Sequence, residues 1–288
     1  MSAVTTTTRA VGTAAGGTPA RSARKRWTRF LLPAYSWLVI AYLVLPIAVM
    51  MAYSFNKVTT GLPQVSFAWN GFTVQWYQQW NSVPQLTSSF WLSVRLAIGA
   101  TLLATALGTM LALALVRYRP RRFRGKAGYE QVLFLNIAAP EIVLGASLLG
   151  LFVTLNVARG FLTLLLAHVA FCIAYVAVTV RARLAGFDRS LEEAAADLGA
   201  NALVTFRKIT FPLILPGILA GALMAFAISI DDFVTSNFVS GASIPFPVWV
   251  YNATRIGIPP QVFVFGSAIF SVGIGCAITS IIISRRRV

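Results

Sequence analysis

The chain has 288 residues, of which 57% are hydrophobic and only 11% charged, and its mean hydropathy is +0.75. A soluble domain carries roughly 25% charged residues, so a water-soluble globular enzyme is excluded. The net charge of +16 does not signal nucleic acid. The basic residues form short clusters between apolar runs of about 20 residues, long enough to cross a ~30 Å hydrocarbon core at about 1.5 Å per residue.

Residues 1–26 are rich in Thr, Ala, Gly and Arg, carry no apolar periodicity, and read as a disordered basic cytoplasmic tail. Residues 27–288 read as one all-α membrane domain. Its first apolar run, Phe30 to Phe55, is too long for the core of a signal peptide and lacks a cleavage site, so a retained helix is expected. Further spans are expected at about 89–116, 130–156, 161–180, 213–234 and 261–284, which makes six transmembrane helices. The polar loop 56–88 carries Trp69, Trp76, Tyr77 and Trp80. Aromatics in that position either anchor a membrane interface or form a docking surface for a partner. Cys172 and Cys276 lie inside apolar runs, far apart, and read as small buried side chains rather than a disulfide or a metal site.

Loop charge sets the orientation. Basic residues gather before span one (Arg9, Arg21, Arg24, Lys25, Arg26, Arg29), after span two (Arg117, Arg119, Arg121, Arg122, Arg124, Lys126), after span four (Arg181, Arg183, Arg189, Arg207, Lys208) and at the C-terminus (Arg285 to Arg287). The alternate side holds only Lys57, Arg95, Arg159 and Arg255. Both termini are therefore expected in the cytoplasm.

The cytoplasmic loop at about 181–212 is the most distinctive stretch. Ser190 is placed to cap a short helix whose first turn holds Glu192 and Glu193, where acidic side chains suit the helix dipole. Ala194 to Ala196 combine helix propensity with small size. Gly199 ends the helix or permits a close turn. A second segment, Ala202 to Ile209, leads to Phe211-Pro212, where proline starts span five. The expected product is a helix-turn-helix with a small-residue surface that another protein can cup. A surface amphipathic helix with no partner is the plainer alternative.

Glu193-Ala194-Ala195, Gly199, Ile209 and Pro212 follow the layout of the EAA loop of ABC importer permeases, and the chain resembles that family over about residues 85–285. Phe211 departs from the family's usual Leu. The resemblance implies the MetI-like permease fold in the cytoplasmic (inner) membrane, with these six residues coupling to a separate ATPase. It also implies a second permease subunit, two ATPase subunits that bind ATP and Mg, and an extracytoplasmic solute-binding protein. The chain has no Walker A sequence, so the nucleotide is expected on the partner, and no cofactor is expected here.

Only eight residues are acidic. Glu141 falls about eleven residues into span three, roughly 16 Å from its inner end, and Asp231 and Asp232 fall near the outer end of span five. A carboxylate at mid-depth is costly unless it meets water, a counter-ion or a polar partner. The alternatives are a buried pair for assembly at Glu141 and a headgroup-solvated helix end at the two aspartates. His168 reads as a packing residue facing a neighbouring helix, and Asn136, Asn156 and Ser229 are further polar residues of the spans. The runs Ala139-Pro140-Glu141-Ile142-Val143-Leu144-Gly145 and Ser229-Ile230-Asp231-Asp232-Phe233-Val234 resemble the second permease subunit of spermidine/putrescine importers. That implies Glu141, Asp231 and Asp232 on the path of a cationic solute. An importer of another small solute, an ion-gradient-driven secondary transporter and a non-transport scaffold are the rival readings.

Overall fold

The computed structural model describes residues 22–58, 68–117 and 126–285. The expected disordered tail up to residue 21, most of the basic cluster after span two and the last three residues lie outside the described residues. The N-terminal helix α1, Ser22–Tyr53, is apolar from Leu31 to Tyr53 and forms most of a unit of its own, which ends at Met50.

The second unit, Met51–Val288, is built on three long helices. These are α3 (Pro84–Arg117), α6 (Phe161–Ala185) and α9 (Phe211–Asp231), and each packs on the other two. Lipid gives no hydrophobic drive for helix association, so close backbone approach over small side chains has to supply it. Ala100, Ala104, Gly108 and Ala112 recur every fourth residue along the buried face of α3. Val176 of α6 fits against Gly108 on one side and Gly221 of α9 on the other. A Cβ placed on Gly108 would lie 2.8 Å from Val176 Cβ. Gly108→Ala is therefore expected to destabilise the domain by about 1–3 kcal/mol. The expected readout is a lower yield of detergent-extracted protein and a lower unfolding midpoint, with Val176→Ala in the same chain restoring both.

The expected third span is not one helix. It divides into α4 (Lys126–Ala138) and α5 (Glu141–Thr154), and the apolar stretches Gln131–Ala138 and Glu141–Thr154 meet at 107°. Pro140 is the cause. Its ring bars the residue before it from helical geometry, and its own φ of −59° and ψ of 128° make it the N-cap of α5. Glu141 thus opens a helix instead of sitting inside a continuous one, which corrects its expected place partway along a straight span.

The expected fifth span also differs at both ends. It does not start at Phe211-Pro212: α8 (Ala202–Thr205), a π-helical turn (Phe206–Thr210) and α9 run on without a break. The wider turn makes room for a proline that cannot donate to the ladder. At the far end helix stops at Asp231, and Asp232 is extended with a ψ of 113°. The short α10 (Val234–Val239) then folds back onto α5 and α6. Phe238 seats where Gly145 of α5 has no side chain.

Two more short helices complete the far side, α2 (Gln75–Gln78) and α11 (Phe246–Ala253), before α12 (Gln261–Arg285). Among the described residues four helices are each long and apolar enough to cross a membrane, or five when the bent pair counts as one span, and α12 begins with the shorter apolar stretch Gln261–Gly275. The aromatic loop folds on itself. Trp76 is buried and donates its indole N–H to Asn56 O at 2.8 Å, and Phe55 stacks against Phe72 and Tyr77. Trp76 therefore holds the loop together, while Trp69 and Trp80 stay exposed.

Candidate functional site

Two sites carry the residues singled out by the sequence. The first is the loop after α6. Helix α7, Ser190–Asp197, starts with Ser190 inside the helix, so the expected serine cap is not formed. The Asp188 carboxylate takes the Ser190 N–H at 2.9 Å instead, and that bond holds Asp188 below the usual carboxylate range. Glu192 pairs with Arg117 at the end of α3 and accepts the Thr210 hydroxyl. Arg117 also donates to Thr210 Oγ1 at 3.1 Å and lies over the Phe206 ring. Arg189 donates to Val116 O at 2.8 Å, filling one of the carbonyls left open where α3 ends. The loop is thus tied to both α3 and the root of α9. Nothing in the spacing distinguishes Glu192 from Glu193, so the sequence did not reveal which one is the anchor.

The loop turns at Gly199. Its φ of +81° is left-handed, Gly199 N–H bonds Ala196 O at 2.9 Å, and Ala200 N–H bonds Ala195 O at 3.0 Å. These two bonds make a Schellman ending, where glycine avoids the Cβ penalty. Asn201 then caps α8, taking the Val204 N–H at 2.9 Å. Glu193, Ala194, Gly199 and Pro212 are exposed, Ile209 is half-buried and Ala195 is buried. Leu198 and Leu203 stand 89% and 74% exposed on either side of the turn.

The second site is a cavity of about 100 Å³ beside the break in span three. Glu141 and Asp232 both line it, with Asn136, Phe171, Tyr175 and Thr235. The proline break delivers Glu141, and the stop in α9 delivers Asp232. Asp231 is exposed and is not among the residues lining it. Asn156 and Ser229 do not line it either; Ser229 is bonded to His168. Asn136 gives its amide N–H to Ala170 O at 3.4 Å, while its Oδ1 is buried with no hydrogen-bond partner. Two carboxylates, an open amide oxygen and two aromatic rings offer partners to a cation, and the two carboxylates repel an anion. Tyr175 and Thr235 are wall residues that no sequence pattern marked, because each sits on a helix whose facing side only packing decides.

The family described as "binding-protein-dependent transport system inner membrane component" matches residues 12–286. The spermidine/putrescine transport system permease protein PotC of Haemophilus influenzae is 40% identical over 258 residues, covering 89% of this chain and 97% of that protein. Its Escherichia coli K12 namesake is 36% identical over 258 residues, covering 89% and 95%. The putrescine transport system permease protein PotI of Escherichia coli K12 is 40% identical over 228 residues, covering 77% and 79%. Among solved structures, a bacterial ABC transporter involved in the import of the acidic polysaccharide alginate has a TM-score of 0.59 at 18% identity, covering 93% of this chain and 99% of that one. The MetNI methionine ABC transporter in an inward-facing conformation has a TM-score of 0.56 at 14% identity, covering 73% and 97%. At such identities the two structures speak for the fold alone. Apolar helices of spanning length, a matching family over nearly the whole chain and a shared fold lead to one conclusion: the chain belongs to the inner membrane components of binding-protein-dependent transport systems, the permease subunits of ABC importers.

Proposed function

We propose that this chain carries polyamines inward, as one of two unlike permease subunits. A pair of ATPase subunits grips the 181–212 loop and binds ATP and Mg, and an extracytoplasmic protein delivers the solute. The observation that carries the solute class is the meeting of Glu141 and Asp232 on one cavity wall. Two carboxylates on one poorly solvated wall favour an organic polycation over sulfate, phosphate or phosphonate. The names of the relatives point the same way. Asp231, exposed at the end of α9, is the candidate for first capture on the outer side. For coupling, Glu193, Ala194, Gly199 and Pro212 provide the exposed surface, with Ala195 and Ile209 supporting it from within.

Uptake of labelled putrescine and spermidine by cells with and without this gene, its partner genes intact, tests the reading. Loss of both uptakes on deletion is expected. Unchanged polyamine uptake, with loss of another solute's uptake, would move the assignment to a different importer.

Orientation is tested separately. With Cys172 and Cys276 replaced by alanine, a cysteine at Ser66 is expected to react with an impermeant thiol reagent in intact cells, and one at Gly125 is not. These positions lie in loops that loop-charge counting puts on opposite sides. The reverse labelling would overturn the six-span reading with both termini cytoplasmic.

A further inference from the structure

His168, the only histidine of the chain, sits in α6 and is fully buried. A packing histidine needs only a satisfied ring. This one reaches three other positions. Its Nδ1 is 2.8 Å from Ser229 Oγ on α9, its Nε2 is 3.0 Å from Ser236 Oγ on α10, and the same Nε2 is 3.5 Å from Asp232 Oδ2 at the junction between them. The same Oδ2 accepts the Ser236 N–H at 2.8 Å, and Oδ1 faces the Thr235 N–H at 3.4 Å. Phe171, one turn along α6, lies 5.1 Å ring to ring from the imidazole and lines the cavity beside Asp232.

A neutral imidazole offers one acceptor and one donor. With the proton on Nε2, the donor meets Ser236 Oγ with Asp232 Oδ2 just beyond, and Nδ1 is left to accept the Ser229 hydroxyl. The junction at Asp232 is extended, so no helical ladder fixes its side chain. What fixes it is α10's first turn on one side and the imidazole on the other.

We infer that His168 is a positioning residue. By meeting Ser236 Oγ and facing Asp232 Oδ2, it holds the Asp232 carboxylate at one orientation on the cavity wall, and so sets affinity and selectivity among cationic solutes of different length. The inference rests on the reading of this cavity as the polyamine path, and the test separates the two.

Initial rates of labelled spermidine and putrescine uptake are measured in cells whose only route is this importer, with membrane abundance followed by immunoblot. His168→Leu removes both ring bonds and is expected to raise KM for spermidine about tenfold, the scale of one hydrogen bond to a charged group, with Vmax within about twofold. The rise for putrescine is expected to be smaller. His168→Asn, which keeps a donor and an acceptor, is expected to recover part of the loss. Asp232→Asn raises KM as well, and the double variant His168→Leu/Asp232→Asn is expected to be no worse than Asp232→Asn alone, because the two act in series.

Additive losses, or a fall in Vmax at wild-type KM, would show that His168 only supports packing. Wild-type kinetics of His168→Leu beside an impaired Asp232→Asn would overturn the inference and leave the path standing. Wild-type KM in Asp232→Asn would take Asp232 off the path and overturn the inference with it, leaving the path reading to Glu141. Should His168→Leu fail to accumulate, Ser236→Ala removes the hydroxyl that Nε2 meets and leaves the Ser236 N–H on Asp232. A smaller KM rise in the same direction is expected there, and a wild-type KM would overturn the inference.

Discussion

A Gly199→Asp variant is expected to reach the membrane at wild-type abundance and to lose solute uptake and transport-linked ATP hydrolysis together. A Cβ on Gly199 meets nothing within 4 Å in this chain, so no internal clash can explain a defect. The φ of +81° adds strain of roughly 1–2 kcal/mol for a residue with a side chain. Aspartate is among the residues that bear this conformation best. What remains is the outer surface, where Gly199 stands between the exposed Leu198 and Leu203. A carboxylate buried unpaired in the ATPase's grip costs about 2 kcal/mol or more, about thirtyfold in affinity. Gly199→Asn, with the same shape and no charge, is expected to retain more uptake. A well-expressed Gly199→Asp variant with normal uptake would remove this loop from the coupling surface.

Glu141→Gln is expected to lower spermidine uptake at sub-saturating concentration by at least tenfold while abundance holds. The carboxylate is exposed within the chain and no ion pair holds it among the described residues. Its charge is therefore available to a solute, and its loss leaves the fold's own contacts intact. Removing one partner of a close, poorly solvated charge pair costs about 2–5 kcal/mol. Asp232→Asn is expected to act in the same direction, since both carboxylates line one cavity. Asp231→Asn, outside that wall but placed for first capture, is expected to lower uptake in the same direction and by less than Glu141→Gln. The deficit is expected to be larger for spermidine than for putrescine, because a longer polyamine places more ammonium groups at once. Wild-type spermidine uptake by both Glu141→Gln and Asp232→Asn would make these acids structural, and the solute reading would then rest on the relatives alone.

How far the sequence can be read depends on the range over which each feature acts. Span length, the Lys/Arg bias of the loops and the Gly199 turn are local. Each depends on a few consecutive residues and on the solvent they meet, so Phe161–Ala185 and the α7 turn were legible directly. The bend of 107° at Pro140 was not legible in span three, because the angle depends on what α5 packs against. Ser190 was read as a cap because serine is a good one, yet Asp188 lay two residues earlier and took the N–H.

By itself, then, the sequence determined that the chain is a helical membrane protein, that its loops alternate in charge, and that the loop at 181–212 resembles the EAA pattern of importer permeases. Run length and charge act residue by residue and need no neighbours. Tertiary structure alone decided that Glu141 and Asp232 share a wall, that Glu192 rather than Glu193 anchors to Arg117, and that His168 Nε2 meets Ser236 Oγ and faces Asp232 Oδ2. Those pairings join residues far apart in the chain. They exist because small side chains on α3, α6 and α9 let the helices close to a spacing that fixes which faces meet, and no local pattern encodes that spacing.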